Sequence, residues 1–187
     1  MGGKLITDIE DINELYDFIR AYPLDYPDYM LWVRKCIDEL KLGYKQAFVF
    51  RHKGKIVANL VFQQHKQDSS VLELKNGRIA DGFKKKKIFS SIMKQLEGYA
   101  FEHGYKRIQA DTHADNYEVL KTFEKLGFKI ESHENLYSAN LETILVKDLN
   151  KKNSIILNLS QLLTDLKLKL FNLIDQLAVW LELRLLC

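Results

Sequence analysis

The stretch from Ile79 to Phe128 constrains the fold more than any other part of the chain. A strand that ends near Ile79 leads into a short loop, then into four consecutive lysines, Lys84–Lys87, and then into a helix. A second strand follows over residues 107–110 and a second amphipathic helix over residues 116–126. The apolar residues of the first helix recur at helical spacing, at Ile88, Ile92, Leu96, Tyr99 and Ala100. This order predicts a β-α-β-α unit whose two strands are parallel and joined by a right-handed crossover.

The residues on either side of this unit predict further strands and two further helices. Asp8 is placed to cap a helix over residues 9–20, and a second helix is expected over residues 28–42, ending at Gly43. A bulge is expected at Asn76-Gly77, where the pattern of the entering strand is interrupted. The strands are expected at residues 4–7, 46–51, 55–64, 71–80, 129–137 and 142–147, with a hairpin turn at 52–55. With 47% hydrophobic residues among 187, the chain can fill a core.

Residues 153–187 differ in kind from the rest of the chain. A heptad stripe runs through Ile156, Leu159, Leu163, Leu166, Leu170, Leu173, Leu177 and Trp180. This pattern predicts one long amphipathic helix, so we expect a domain over residues 1–150 and a leucine-rich helix over 151–187 that mediates oligomerisation or binds a partner protein. Charged residues interrupt every window of transmembrane length, and acids balance bases, so neither a membrane span nor membrane-surface binding is expected.

The central unit resembles the Gcn5-related N-acetyltransferases (GNAT superfamily) in its order and its residues. In that family a strand enters an Arg-x-x-Gly-x-Gly loop that wraps the pyrophosphate of acetyl-coenzyme A, and a later Asn precedes a Tyr by seven residues. Asn116 and the Lys-Leu-Gly-Phe that ends at Phe128 match, whereas Lys84, Lys87 and Phe89 stand where the family has Arg, Gly and Gly. The resemblance covers residues 4–149. It implies an α/β (α+β) fold with a mostly antiparallel central sheet, the β-α-β-α core and flanking helices.

The resemblance implies a binding site for acetyl-coenzyme A at the end of the entering strand. Four ammonium groups at a helix N-terminus would complement the phosphates of coenzyme A, although a basic run is also common on a solvated surface. Lys87 and Phe89 have a Cβ where the family glycines let the backbone approach phosphate closely. The cofactor-binding residues implied are Ile79, Lys84, Lys85, Lys86, Lys87, Ile88, Phe89, Asn116 and Phe123.

The same resemblance suggests catalytic and acceptor-binding residues. Glu73 lies eleven residues before Lys84, where some family members carry a general base. Phe123 replaces the Tyr that often protonates the leaving thiolate, so Tyr117 and Tyr137 are the nearby candidate donors, Tyr137 first, with a place in the core or at its rim as the alternative for each. Tyr26 and Tyr29 are candidates to line the acceptor pocket, with a place in the core as the alternative for each. His65, His103, His113 and His133 fall in turns or at strand ends, where a structural role is favoured.

Composition narrows the remaining possibilities. A net charge of +3 does not favour nucleic acid binding, and the two cysteines form neither a disulfide framework nor a metal motif, so no metal is expected. The N-terminus lacks an apolar leader, which predicts a cytoplasmic protein. The resemblance to the Gcn5-related N-acetyltransferases leaves two functions open. One is transfer of an acetyl group from acetyl-coenzyme A to a primary amine on a small molecule or a protein; the other is a catalytically degraded module that serves assembly.

Overall fold

A computed structural model describes residues 3–6, 8–24, 26, 28–136, 141–149 and 166. Within these ranges, seven strands form one sheet in the order β1-β2-β3-β4-β5-β7-β6. The strands are β1 (Lys4–Ile6), β2 (Gln46–His52), β3 (Lys55–Gln64), β4 (Val71–Ile79), β5 (Arg107–His113), β6 (Lys129–Glu134) and β7 (Glu142–Asp148). The helices are α1 (Ile9–Ala21), α2 (Tyr29–Lys41), α3 (Ile88–Glu102) and α4 (Tyr117–Lys125). The mixed fold predicted from the sequence is confirmed.

Only one pair of neighbouring strands in the described sheet is parallel. β4 and β5 run in the same direction with α3 between them along the chain, whereas the other five neighbouring pairs are antiparallel. This agrees with the β-α-β-α unit expected from residues 79–128. The parallel pairing covers only Val71–Glu73 against Arg107–Gln109, although the strands continue to Ile79 and His113. The two strands therefore diverge, and a gap opens between their carboxyl halves.

The helices cover opposite faces of the sheet. Tyr99 of α3 contacts Phe48 and Phe62, which fixes the face on which α3 packs. On the other face, Asn76 of β4 donates to the hydroxyl of Tyr29 in α2. Asn76 is in register with Val61, whose side chain points away from that of its neighbour Phe62 because side chains alternate along a strand. The gap is thus flanked by α3 on one side and by the α1–α2 pair on the other.

A bulge in β4 decides which of its polar residues share a face. Leu74 is in register with Phe62 and Asn76 with Val61, so Lys75 is the extra residue. The expected bulge is present, but one residue earlier than the Asn76-Gly77 that the pattern suggested. Because a bulge shifts the alternation by one residue, Glu73, Asn76 and Arg78 all lie on the α1–α2 face. A regular strand would have placed Glu73 opposite the other two.

The ends of the first two helices follow local sequence signals. Asp8 caps α1 as predicted, because its carboxylate accepts from the backbone N–H of Asp11 at 2.7 Å. α2 begins after Asp28, which adopts a left-handed conformation with φ 54°. The strand expected to reach Tyr137 ends at Glu134. The predicted helix over 153–187 lies outside the described residues, apart from Leu166, and no helix among the described residues is long and apolar enough to cross a membrane.

Candidate active site

The loop between β4 and α3 lies at the carboxyl end of β4, beside the gap. It begins with a 3-10 turn over Asp81–Phe83, and the side chains of the four lysines after it are exposed. Lys85 and Lys87 have φ values of 62° and 59°, in the left-handed region that favours glycine. Lys87 is the N-cap residue of α3 and stands where the family pattern has glycine. The backbone therefore keeps a glycine-like conformation although the residue is a lysine.

This loop has the physical features of an anion site. The first N–H groups of any α-helix lack partners within the helix, and its dipole favours negative charge at that end. Left-handed residues in a turn also direct successive N–H groups towards a common point. Of the lysines, Lys84 pairs with Asp81 at 2.7 Å and Lys86 lies over the ring of Phe83 at 4.9 Å. Their charges sit in solvent, so salt will screen them.

Two phenylalanines cover the α3 side of the gap. The rings of Phe89 and Phe123 are perpendicular, with centroids 5.7 Å apart. A Cβ at Gly77 of β4 would lie 3.4 Å from the ring of Phe89, so this ring lies close against the β4 backbone. Phe123 is buried and also contacts Phe128. These apolar rings can pack against a ligand chain, but they cannot donate a proton.

The remaining residues implied for the cofactor border the same region. Ile79 is the last residue of β4 and Ile88 the first of α3, and Ile88 is buried. Asn116 is the N-cap residue of α4, and its amide nitrogen lies 3.5 Å from the hydroxyl of Thr112 in β5. The predicted set thus gathers around the ends of β4 and β5, on the α3 side of the sheet.

Glu73 lies on the opposite face, within a buried polar network. Its carboxylate accepts from Gln63 at 2.9 Å and from the ammonium of Lys75 at 2.5 Å. Gln63 accepts in turn from the buried Lys45, which pairs with Glu39 of α2. The negative charge of Glu73 is therefore already compensated. A catalytic role for Glu73 remains a prediction, and its surroundings are those of a structural ion pair.

His113 forms a second buried pair at the end of β5. Its Nδ1 lies 2.9 Å from the carboxylate of Glu142, the residue opposite it in β7, and Glu142 has no exposed surface. The ring of Tyr26 stacks on His113 at 4.5 Å, and its hydroxyl donates to Glu142 at 3.4 Å. The side chain of His113 is still 22% exposed. If the proton of the ring is on Nδ1, facing Glu142, then Nε2 is the acceptor.

Sequence reasoning missed this pair. It assigned His113 a structural role because the residue follows a strand of residues 107–110, whereas β5 extends to His113. The sequence did contain one signal for the pair. Glu142 directly precedes Thr143–Val146, a segment with the composition of a buried strand, and a carboxylate buried there needs a partner. Pairing across the sheet joins residues 29 positions apart, which local patterns do not show.

The other predicted site residues have different fates. Tyr26 lies in the site, stacked on His113. Tyr29 is 7% exposed, its hydroxyl accepts from Asn76, and burial raises its pKa, so it forms part of the core rather than an open pocket wall. Tyr137 lies outside the described residues. No cluster of three or more metal-ligating side chains occurs in the part of the chain that the structure describes.

The comparisons with known proteins all point to acetyltransferases. The family model described as Acetyltransferase (GNAT) family matches residues 12–128. A GNAT-family protein from Desulfovibrio desulfuricans is similar with a TM-score of 0.70 and 9% identity, over 80% of this chain and 99% of that one. The ribosomal-protein-S18-alanine N-acetyltransferase from Escherichia coli has a TM-score of 0.63 and 13% identity, over 79% and 94%. An aminoglycoside 6'-N-acetyltransferase complexed with coenzyme A is similar with a TM-score of 0.62 and 14% identity, over 79% of this chain and 97% of that one. No curated protein matches the chain.

Proposed function

Because the chain belongs to the acetyltransferase (GNAT) family, we propose that it transfers an acetyl group from acetyl-coenzyme A to a primary amine. The observation that carries this proposal is the divergence of β4 from β5 after Glu73, next to a loop suited to anions. Two of the similar structures, the aminoglycoside and the S18-alanine enzymes, are named as N-acetyltransferases, and the former contains coenzyme A. A cytoplasmic location is part of the same proposal.

The residues on the α3 side fit the chemistry of coenzyme A. The N–H groups at the start of α3 and the exposed ammoniums of Lys84–Lys87 suit its phosphates. Phe89 and Phe123 offer an apolar wall to its uncharged arm, and Asn116 offers an amide. When bound, acetyl-coenzyme A supplies a thioester carbonyl carbon that an amine can attack.

Acyl transfer requires a base, because an ammonium has no lone pair with which to attack. The amine nitrogen forms a bond to the carbonyl carbon, the carbon–sulfur bond breaks, and the proton lost by nitrogen passes to the base. We assign this role to Nε2 of His113, because the carboxylate of Glu142 lies 2.9 Å from Nδ1 and can stabilise the imidazolium that forms. Glu73 is the weaker candidate, since Lys75 already neutralises it. Tyr137 remains the predicted donor to the thiolate.

The experiment that tests the function measures coenzyme A release with a panel of primary amines, together with calorimetric titration of acetyl-coenzyme A. We expect saturable binding and amine-dependent release of the free thiol. A secondary amine of the same size is the matched control for non-enzymatic release. Absence of binding at millimolar acetyl-coenzyme A would overturn the proposal.

A second candidate function is that of a catalytically degraded module that serves assembly. Three features of the sequence favour this second function: Lys87 and Phe89 in place of the family glycines, Phe123 in place of Tyr, and the heptad stripe of residues 153–187. Under either function we propose that this segment mediates self-association or binds a partner protein. Deleting residues 153–187 should yield a monomer by light scattering, and an unchanged oligomeric mass would contradict that role. Binding of acetyl-coenzyme A distinguishes the two functions.

A further inference from the structure

The guanidinium of Arg78 is partly buried and has no acidic partner among the described residues. Its Nε donates to the backbone carbonyl of Tyr22 at 3.2 Å, and Nη1 donates to the carbonyl of Gly77. Nη2 is buried and has no hydrogen-bond partner. Burial lowers the pKa of Arg78, while the nearby phenols of Tyr29 and Tyr26 act in the opposite direction. The described groups that interact with this guanidinium are two backbone carbonyls and two phenols, with no carboxylate among them.

Such an arrangement is costly in a folded protein that binds nothing there. Buried charges are normally paired, and an unpaired guanidinium loses hydration that two carbonyls restore only in part. The other cations near the gap follow the rule, since the buried Lys45 pairs with Glu39 and the half-buried Lys75 with Glu73. Arg78 is the exception on this face, within the described part of the chain. An anion supplied by a ligand would resolve it.

The position of Arg78 indicates which ligand would bring that anion. The bulge at Lys75 turns Arg78 to the α1–α2 face, the face on which Tyr26 stacks against His113. Tyr26 is therefore a neighbour of both Arg78 and His113. The unpartnered Nη2 of Arg78 and the ring of His113 therefore lie on one face of the sheet, each with Tyr26 as a neighbour.

We infer that Arg78 binds a carboxylate of the acceptor, so that the acceptor is an amino acid or a similar amine that carries a carboxylate near its nitrogen. This inference rests on the proposed function, which supplies the amine nitrogen of the acceptor. A carboxylate fits better than a phosphate, because one guanidinium matches one negative charge and the other cations of this region, Lys45 and Lys75, are already paired with acids. Coenzyme A phosphates are held on the opposite face in this arrangement.

The first test compares amino acids with their carboxamides as acceptors. For the wild type we expect kcat/KM about a hundredfold higher for the carboxylate than for the amide, from one charge-assisted contact. In Arg78→Gln this ratio should fall to near one, mainly through KM, and Arg78→Lys should retain part of it. Arg107→Gln is the matched control, because that arginine is exposed and paired with Glu131 and Asp148.

The second test does not depend on acetylation. The melting temperature of the wild type should rise in acetate relative to chloride at equal ionic strength, and that of Arg78→Gln should not. If this shift occurs in a protein that acetylates no amine, the proposed function fails and the carboxylate site stands. Three results would each overturn the inference: equal thermal shifts in the two proteins, a preference of the wild type for amides or phosphorylated amines, or an equal loss of kcat/KM with all acceptors in Arg78→Gln. Arg78 would then have only a structural role, through its hydrogen bond to Tyr22.

Discussion

The two sides of the gap between β4 and β5 are built on different physical principles. On the α3 side, charge comes from exposed lysines and from backbone N–H groups of a loop and a helix end. On the α1–α2 side, charge lies in buried pairs, His113 with Glu142 and Glu73 with Lys75. An exposed ion pair is worth about 0–1 kcal/mol, whereas breaking a buried pair costs about 3–5 kcal/mol.

This difference explains why the loop sequence can depart from the family pattern. A pocket made by backbone conformation and solvated charge tolerates substitution, provided that the chain can still adopt the left-handed angles at Lys85 and Lys87. A pocket made by buried pairs does not, because each partner is needed to compensate the other. We therefore expect substitutions on the α1–α2 side to have larger effects than substitutions in the loop.

The largest effect is expected for His113→Ala. Loss of a general base lowers kcat by about a hundredfold to ten-thousandfold. Added imidazole should restore part of the activity, because it can occupy the space left by the ring, whereas a purely structural role gives no such rescue. His65→Ala is the control, since that histidine is far from the gap, in the turn before β4. A His113→Gln variant with full activity would exclude His113 as the base.

Glu73→Gln should reduce stability more than turnover. The change leaves Lys75 without its carboxylate in a half-buried position, and a loss of about 2 kcal/mol in the free energy of unfolding is expected from chemical denaturation. We expect kcat to fall by less than about tenfold, since another group removes the proton. A hundredfold fall in kcat with unchanged stability would instead make Glu73 the base and remove the contrast drawn with His113.

A smaller effect is expected for charge reversal in the loop. Replacing Lys84, Lys85 and Lys86 with Glu should weaken binding of coenzyme A by about tenfold at low salt, with little difference at high salt, because exposed charges are screened. The same reversal at the exposed Lys66, Lys106 and Lys129 is the matched control. Calorimetric titration at low and at high salt measures the affinity for coenzyme A of the loop variant and of the control variant. If the loop variant binds coenzyme A at low salt as tightly as the wild type does, the lysines of the loop are only solvated surface residues.

The smallest effect concerns backbone strain. Lys87→Gly should raise the free energy of unfolding by about 1 kcal/mol at most, because a left-handed conformation costs a residue with a Cβ more than it costs glycine. Lys86→Gly is the control, since Lys86 is not among the residues with positive φ, and there glycine should destabilise. If both variants lose stability equally, the loop conformation does not depend on the left-handed angle at residue 87.

Local patterns predicted most helices and strands well. The helix over residues 9–20 and its Asp8 cap were found, as were the strands at 55–64 and 142–147, each within a residue or so of its observed end. The strand after Arg107 was predicted too short, because Asp111-Thr112-His113 is polar and its pairing with β7 is not visible locally. The bulge was displaced by one residue for the same reason, since the pattern marks irregularity but not register.

The sequence by itself determined the order of elements, the family resemblance and the position of the basic loop, because these follow from periodicity and from residues that are adjacent along the chain. Only the tertiary structure decided which charges are paired. Glu142 meets His113 through the β5–β7 register, and Arg78 turns to the α1–α2 face through the bulge at Lys75. Of the three, Glu142 is fully buried, while His113 and Arg78 are partly buried. A side chain's charge is local information, but its compensation depends on neighbours that only long-range strand pairing supplies.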